Sequence, residues 1–211
     1  MKLWWRAGWR SALVEVQAAE YGIDLDLVAL DDPVTGRAAR AEWIEANPLQ
    51  QLPTMQLDDG QVMVESAAIT LWLADHAQSD LLVPDRNAPE YPGFLRWLIW
   101  MAASICPCAT FHNLASDLVM DPIESRGLES HLVERMQSLW LQAADEAGTP
   151  WFLGDRFSAI DLYIAVMLRW GQGLDWAAEH VPRLYHIAIA ASERPAVAPV
   201  NARNFPDSAA A

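Results

Sequence analysis

The sequence predicts a small α/β module followed by an all-helical domain. Short apolar runs alternate with helix-period segments over residues 1–80, and a proline-containing polar stretch follows at 81–92. Strand signals then stop, and long segments of 3.6-residue period fill residues 93–200. The remainder, 201–211, is polar and alanine-rich and reads as a fraying tail.

Met1 to Trp5 is an apolar run of strand length. After Arg6-Ala-Gly-Trp-Arg10 a helix starts at Ser11, with Leu13, Val16, Ala18 and Ala19 at helical spacing, and Gly22 closes it. Ile23 to Leu30 alternates apolar and acidic residues as a half-buried strand does. The next helix covers Ala38–Ala46 and stops at Asn47-Pro48, because a residue before proline avoids the helical region. Pro53–Leu57 and Val62–Val64 flank Asp58-Asp59-Gly60, a hairpin signal, and another helix runs from Ser66 to about His76. Beyond residue 92 the helical segments are Phe94–Leu118, Ser125–Ala147, Ser158–Gly173 and Pro182–Arg194. One start is marked by Ser158-Ala-Ile-Asp161, a capping box with Asp in place of Glu. Pro107 is expected to kink the helix that contains it.

Charge narrows the function classes. The 211 residues carry 28 acidic and 14 basic side chains, a net −14, which disfavours binding to the polyanions of nucleic acid and anionic membrane. Lys2, Arg6 and Arg10 precede the first acidic residue, so residues 1–14 form a +3 island in an otherwise anionic chain. Three of the eleven tryptophans, Trp4, Trp5 and Trp9, fall inside it. Arg6 and Arg10 break any apolar core of a secretion signal, and no 18-residue uninterrupted apolar stretch occurs, so a cytoplasmic location with no membrane span is expected. Two cysteines one residue apart, Cys106 and Cys108, exclude a disulfide framework, and the five histidines lack metal spacing, so no metal is expected.

The most specific stretch is Asn47-Pro-Leu-Gln-Gln-Leu-Pro-Thr54, followed by Glu65-Ser66-Ala-Ala-Ile69. Pro53 opens a strand without an N–H to give the ladder. Glu65 and Ser66 begin a helix whose free N–H groups and dipole favour a carboxylate, while Glu65 can accept from an ammonium group. An amino acid-like ligand end suits the pair; ordinary helix capping is the alternative.

These residues, with Met1-Lys2-Leu3 and Phe152-Leu-Gly-Asp-Arg-Phe-Ser-Ala-Ile-Asp161, resemble a bacterial glutathione transferase of the beta type over about residues 1–206. The resemblance implies a thioredoxin-like N-terminal domain, an all-α C-terminal helical bundle and a homodimer. It also implies that Pro53 is cis, that Leu52 pairs its backbone with the cysteinyl part of glutathione, and that Glu65 and Ser66 hold the γ-glutamyl end. The corner that activates the thiol departs from the pattern. Trp5 and Arg10 stand where beta-type enzymes carry tyrosine and cysteine, and Cys106 stands where they carry histidine.

Ser11, at the start of the first helix, is then the expected thiolate donor, with help from the charge of Arg10; Arg10 itself and Cys106 are the other candidates for activating the thiol. Trp9, Phe111, Trp170 and Cys106 are candidates for the wall that receives a second, hydrophobic substrate, although aromatic residues at helical spacing also build cores. The function expected is conjugation of glutathione to a small hydrophobic electrophile. A glutathione- or protein-binding module without turnover, and a thiol-disulfide reductase using Cys106, are the alternatives.

Overall fold

The computed structural model describes residues 1–206, and the chain divides into two units, Met1–Val83 joined by the segment from Ala191 onward, and Pro84–Ala190. A small mixed sheet with helices makes up the first unit and helices make up the second, as the sequence predicts.

The first unit holds a four-stranded sheet in the order β2-β1-β3-β4. Its strands are β1 (Lys2–Trp5), β2 (Asp26–Ala29), β3 (Thr54–Gln56) and β4 (Val62–Val64), with helices α1 (Ser11–Glu20), α2 (Gly36–Ala46) and α3 (Ser66–Ala77) between and after them. β1 and β2 are parallel; β3 is antiparallel to both β1 and β4. Period-2 alternation sends neighbouring residues of β1 to opposite faces. Leu3 packs with Val14, Met55, Ile69 and Leu73, while Trp4 packs with Leu30, Ala39 and Leu52. The β3–β4 turn forms where Asp59-Gly60 predicts it: Gly60 has φ +88°, and its N–H reaches the Leu57 carbonyl at 3.0 Å.

The second unit contains α4 (Tyr91–Trp100), a π-helical turn (Met101–Ile105), α5 (Cys106–Asn113), α6 (Ala115–Leu118), α7 (Pro122–Glu146), α8 (Ala159–Met167) and α9 (Gly173–His180). α10 (Pro182–Ser192) runs to its end and α11 (Ala198–Asn204) follows. Pro107 produces a widened turn: the Cys106 N–H reaches back five residues to Met101 just ahead of the proline. Helix runs without a break from Tyr91 to Asn113, long and apolar enough to cross a membrane by length and composition alone. Phe94, Trp97, Leu98, Met101 and Ile105 from it are buried in the protein, which is the pattern of a core helix. All of α8 is buried, and its start is fastened as the sequence predicts: Asp161 accepts the Ser158 N–H at 2.8 Å, and Ser158 Oγ accepts the Ile160 N–H at 3.2 Å.

Two helices depart from the sequence reading. α8 stops at Met167, short of the expected Gly173, and α9 fills the gap before the segment expected from Pro182; Gly171 (φ +68°) and Gly173 (φ +77°) let the chain turn and begin again. α11 occupies the start of the expected tail; Asn201 and Asn204 are buried there rather than frayed. Residues 207–211 of that tail lie outside the described residues.

Candidate functional site

Strand register sets the site. Thr54 is paired with Trp4 on one side and Val64 on the other. Because β3 runs against both neighbours, the chain enters it through Leu52-Pro53 at the end where β1 leaves through Trp5-Arg6 and β4 leaves through Glu65-Ser66. Ala29 lies opposite Trp5 in the parallel pair, so Leu30-Asp31 also leave there. Four connections thus gather at one end of a rigid sheet, a placement suited to ligand-binding loops.

The connection into β3 is held from inside. Asn47 Nδ2 donates to the Gln51 carbonyl and to Thr54 Oγ1, each at 3.0 Å; Thr54 Oγ1 donates to Gln51 at 2.7 Å, and the Trp43 indole N–H donates to Thr54 Oγ1 at 3.1 Å. The Leu52–Pro53 peptide is cis, and the Leu52 side chain is buried beside Trp4. Neither the N–H nor the carbonyl of Leu52 has a hydrogen-bond partner among the described residues.

At the exit of β4, Glu65 is the N-cap of α3 with φ +66° and ψ +106°, a conformation that strains any residue with a side chain. Such strain concentrates where binding geometry requires it. No side chain caps α3, its first turn carries no acid, and the Glu65 carboxylate is exposed without an ion-pair partner among the described residues. Ser66 is buried as the first residue of the helix, not its cap, which corrects the capping alternative. The end of α3 therefore presents backbone N–H donors and a positive dipole end beside one free carboxylate, a combination complementary to a group carrying both a carboxylate and an ammonium.

The turn after β1 carries the cationic island. Arg6 pairs with Asp31, which also takes a 2.8 Å hydrogen bond from Arg40, and the Arg6 guanidinium lies 4.5 Å from the centroid of the Trp9 ring. Arg10 is half-buried at the N-cap of α1, with no ion-pair partner among the described residues. Ser11 lies inside this turn. It is fully buried, and its hydroxyl both accepts from the Arg6 N–H and donates to the Arg6 carbonyl, each at 3.3 Å. A hydroxyl has one proton to give. In this geometry that proton goes to the Arg6 carbonyl, and Ser11 fastens the turn.

The remaining candidates divide between the units. Trp9, in the first, is 36% exposed. In the second, Phe111 is 47% exposed on α5 and Trp170 is half-buried after α8. Cys106 is buried at the start of α5. Cys108 is buried as well, donates to the Ser104 carbonyl, and has its thiol pKa pushed up by burial.

Residues 14–76 match the family model for the glutathione S-transferase N-terminal domain. An uncharacterized GST-like protein of Escherichia coli strain K12, YncG, is 29% identical over 97% of this chain and 98% of its own. The glutathione S-transferase GstA of Escherichia coli O157:H7 is 27% identical over 93% of this chain and 95% of its own. Residues 14–76 thus carry a glutathione S-transferase N-terminal domain, and the chain as a whole is similar to bacterial glutathione S-transferases.

A solved glutathione transferase homologue from Sulfitobacter, with bound glutathione, has the same fold, with a TM-score of 0.79 at 20% identity over 94% of this chain and 95% of that one. The strongest residues that sequence reading leaves out are Glu15, Arg203 and Asn204. Asn204 Oδ1 accepts the Gly8 N–H at 3.2 Å, and Glu15 accepts from Arg203 at 2.6 Å and from Asn204 at 3.3 Å. The available signal was an acid, Glu15, on an otherwise apolar buried helix, which requires a partner.

Proposed function

We propose that this protein is a glutathione transferase-type enzyme that joins glutathione to a small hydrophobic electrophile. In this reading Leu52 offers its backbone N–H and carbonyl to the cysteinyl part of glutathione, next to Pro53. Glu65 accepts from the ammonium of the γ-glutamyl end, and Ser66 with the first turn of α3 receives its carboxylate. Arg10, charged and without a competing acid, holds the sulfur as thiolate, and Trp9 supplies apolar contact to the electrophile.

With an aryl halide the thiol gives its proton to water, the sulfur bonds to the ring carbon, and halide leaves with the electrons of the broken bond. Rate comes from the lowered thiol pKa and from holding two reactants together. The resemblance adds a cytoplasmic homodimer. The observation that carries the reading is the uncapped start of α3, with Glu65 strained beside it, at the same sheet end as the unpartnered Leu52 backbone.

The test is glutathione titration by calorimetry together with conjugation of chlorodinitrobenzene. Wild type should bind and turn over, Glu65→Gln should weaken binding, and Arg10→Met should lower kcat by roughly tenfold or more. No binding by wild type overturns the reading. Binding without turnover on a broad electrophile and peroxide panel favours instead a glutathione-binding module; the observation behind that second reading is that Trp5, Arg10 and Cys106 stand where beta-type enzymes carry tyrosine, cysteine and histidine. The burial of Cys106 weighs against a reductase that works through its thiol.

A further inference from the structure

The turn from Arg6 to Arg10 is fastened from two directions. From within, Ser11 Oγ bridges the Arg6 N–H and carbonyl, and the Trp9 N–H closes onto the Arg6 carbonyl at 3.1 Å. From the far end of the chain, Asn204 reaches it through the 3.2 Å bond from the Gly8 N–H. Asn204 is 3% exposed, and its amide is fully engaged: Nδ2 donates to Glu15 at 3.3 Å and to the Val200 carbonyl at 3.1 Å, which leaves Oδ1 aimed at Gly8. Glu15 belongs to α1, the helix that Arg10 caps, and Arg203 pins it at 2.6 Å. Gly8 itself has φ +73°, so the turn conformation that presents its N–H to Asn204 is one that a side chain at this position would disfavour.

We propose that Asn204 is a positioning residue for the thiol site: through Gly8 and Glu15 it fixes the turn that carries Trp9 and Arg10 against α1. This inference rests on the functional reading above. Asn204 touches neither partner of the reaction. It sets where the Arg10 guanidinium stands relative to the sulfur, while Leu52, Glu65 and Ser66, on other connections, hold the peptide part of glutathione. Loss of Asn204 should therefore act on the chemical step and spare affinity, since a misplacement near 1 Å can cost up to about a hundredfold in rate.

The experiment compares wild type with Asn204→Ala, below the unfolding temperature of both. It follows glutathione affinity by calorimetry, kcat with chlorodinitrobenzene, and hydrogen exchange of the Gly8 amide. The expected result is faster Gly8 exchange, kcat lowered by about tenfold, and glutathione affinity within about twofold of wild type. Unchanged Gly8 exchange, or unchanged kcat in the folded variant, overturns the proposal. If wild type neither binds nor conjugates glutathione, the functional reading fails on its own, and Gly8 exchange still decides whether Asn204 holds the turn. Should Asn204→Ala fail to fold, Asn204→Gln keeps the amide and displaces it by one methylene, and the same readings apply.

Discussion

Arg194 grips Glu20 in a two-pronged ion pair, Nε to Oε1 and Nη2 to Oε2, both at 2.7 Å. The Glu20 side chain is 5% exposed and that of Arg194 is 30% exposed, so the carboxylate is nearly desolvated and depends on its partner. Arg194→Met should destabilise the protein by roughly 2–4 kcal/mol in denaturant titration, less than for a fully buried pair because Arg194 keeps some water. Arg96 and Glu146, paired across the surface of the second unit, serve as the contrast: Arg96→Met should leave the midpoint nearly unmoved. Equal effects of the two substitutions would contradict this account.

Glu65 sets stability against binding. At φ +66° a side chain is strained, and glycine there releases the strain. Glu65→Gly should raise stability by about 1 kcal/mol while weakening glutathione binding by roughly tenfold or more, because the carboxylate is gone. Thermal melts and calorimetry on one preparation read both; a destabilised variant would show that the local backbone is not strained.

Asp161 gives a pH dependence of unusual sign. Burial pushes its pKa up from 3.8 to about 6, against the opposing pull of the Phe152 and Ser158 donors. A carboxyl that binds its proton more tightly folded than unfolded contributes most stability below its unfolded pKa and loses that contribution as pH rises through the folded value. The stability of wild type minus that of Asp161→Asn should thus fall between pH ~4 and ~7, by up to about 3 kcal/mol. Carboxylates whose pKa is lowered, Asp32 by Thr35 and Glu146 by Arg96, titrate equally in both proteins and cancel. A difference that is flat or rises with pH would refute the burial argument.

Local patterns were legible and distant partners were not. Asp59-Gly60, Asn47-Pro48 and Ser158-x-x-Asp161 mark their boundaries because each acts over a few residues, and every strand of the first unit lies within its expected run. Once the hairpin is assigned, the approach of Leu52 to Glu65 follows from antiparallel pairing. Ser11 is different: its position at a helix start is visible in sequence, but the commitment of its hydroxyl to Arg6 depends on how the turn closes. The end of the chain is hardest to read. Residues 201–204 look like the start of a polar tail until Arg203 and Asn204 find Glu15, 188 and 189 positions away, and no periodicity encodes a partner at that distance.

The same pairings impose an order on synthesis. Glu15 and Glu20 leave the ribosome early, on a helix packed against the sheet, but Arg194 and Arg203 are made only after the whole of the second unit. Until then α1 carries two acids meant for the interior without their cations. The first unit is thus begun first and finished last, and a nascent chain stalled before residue 194 would hold a sheet whose principal helix still seeks water.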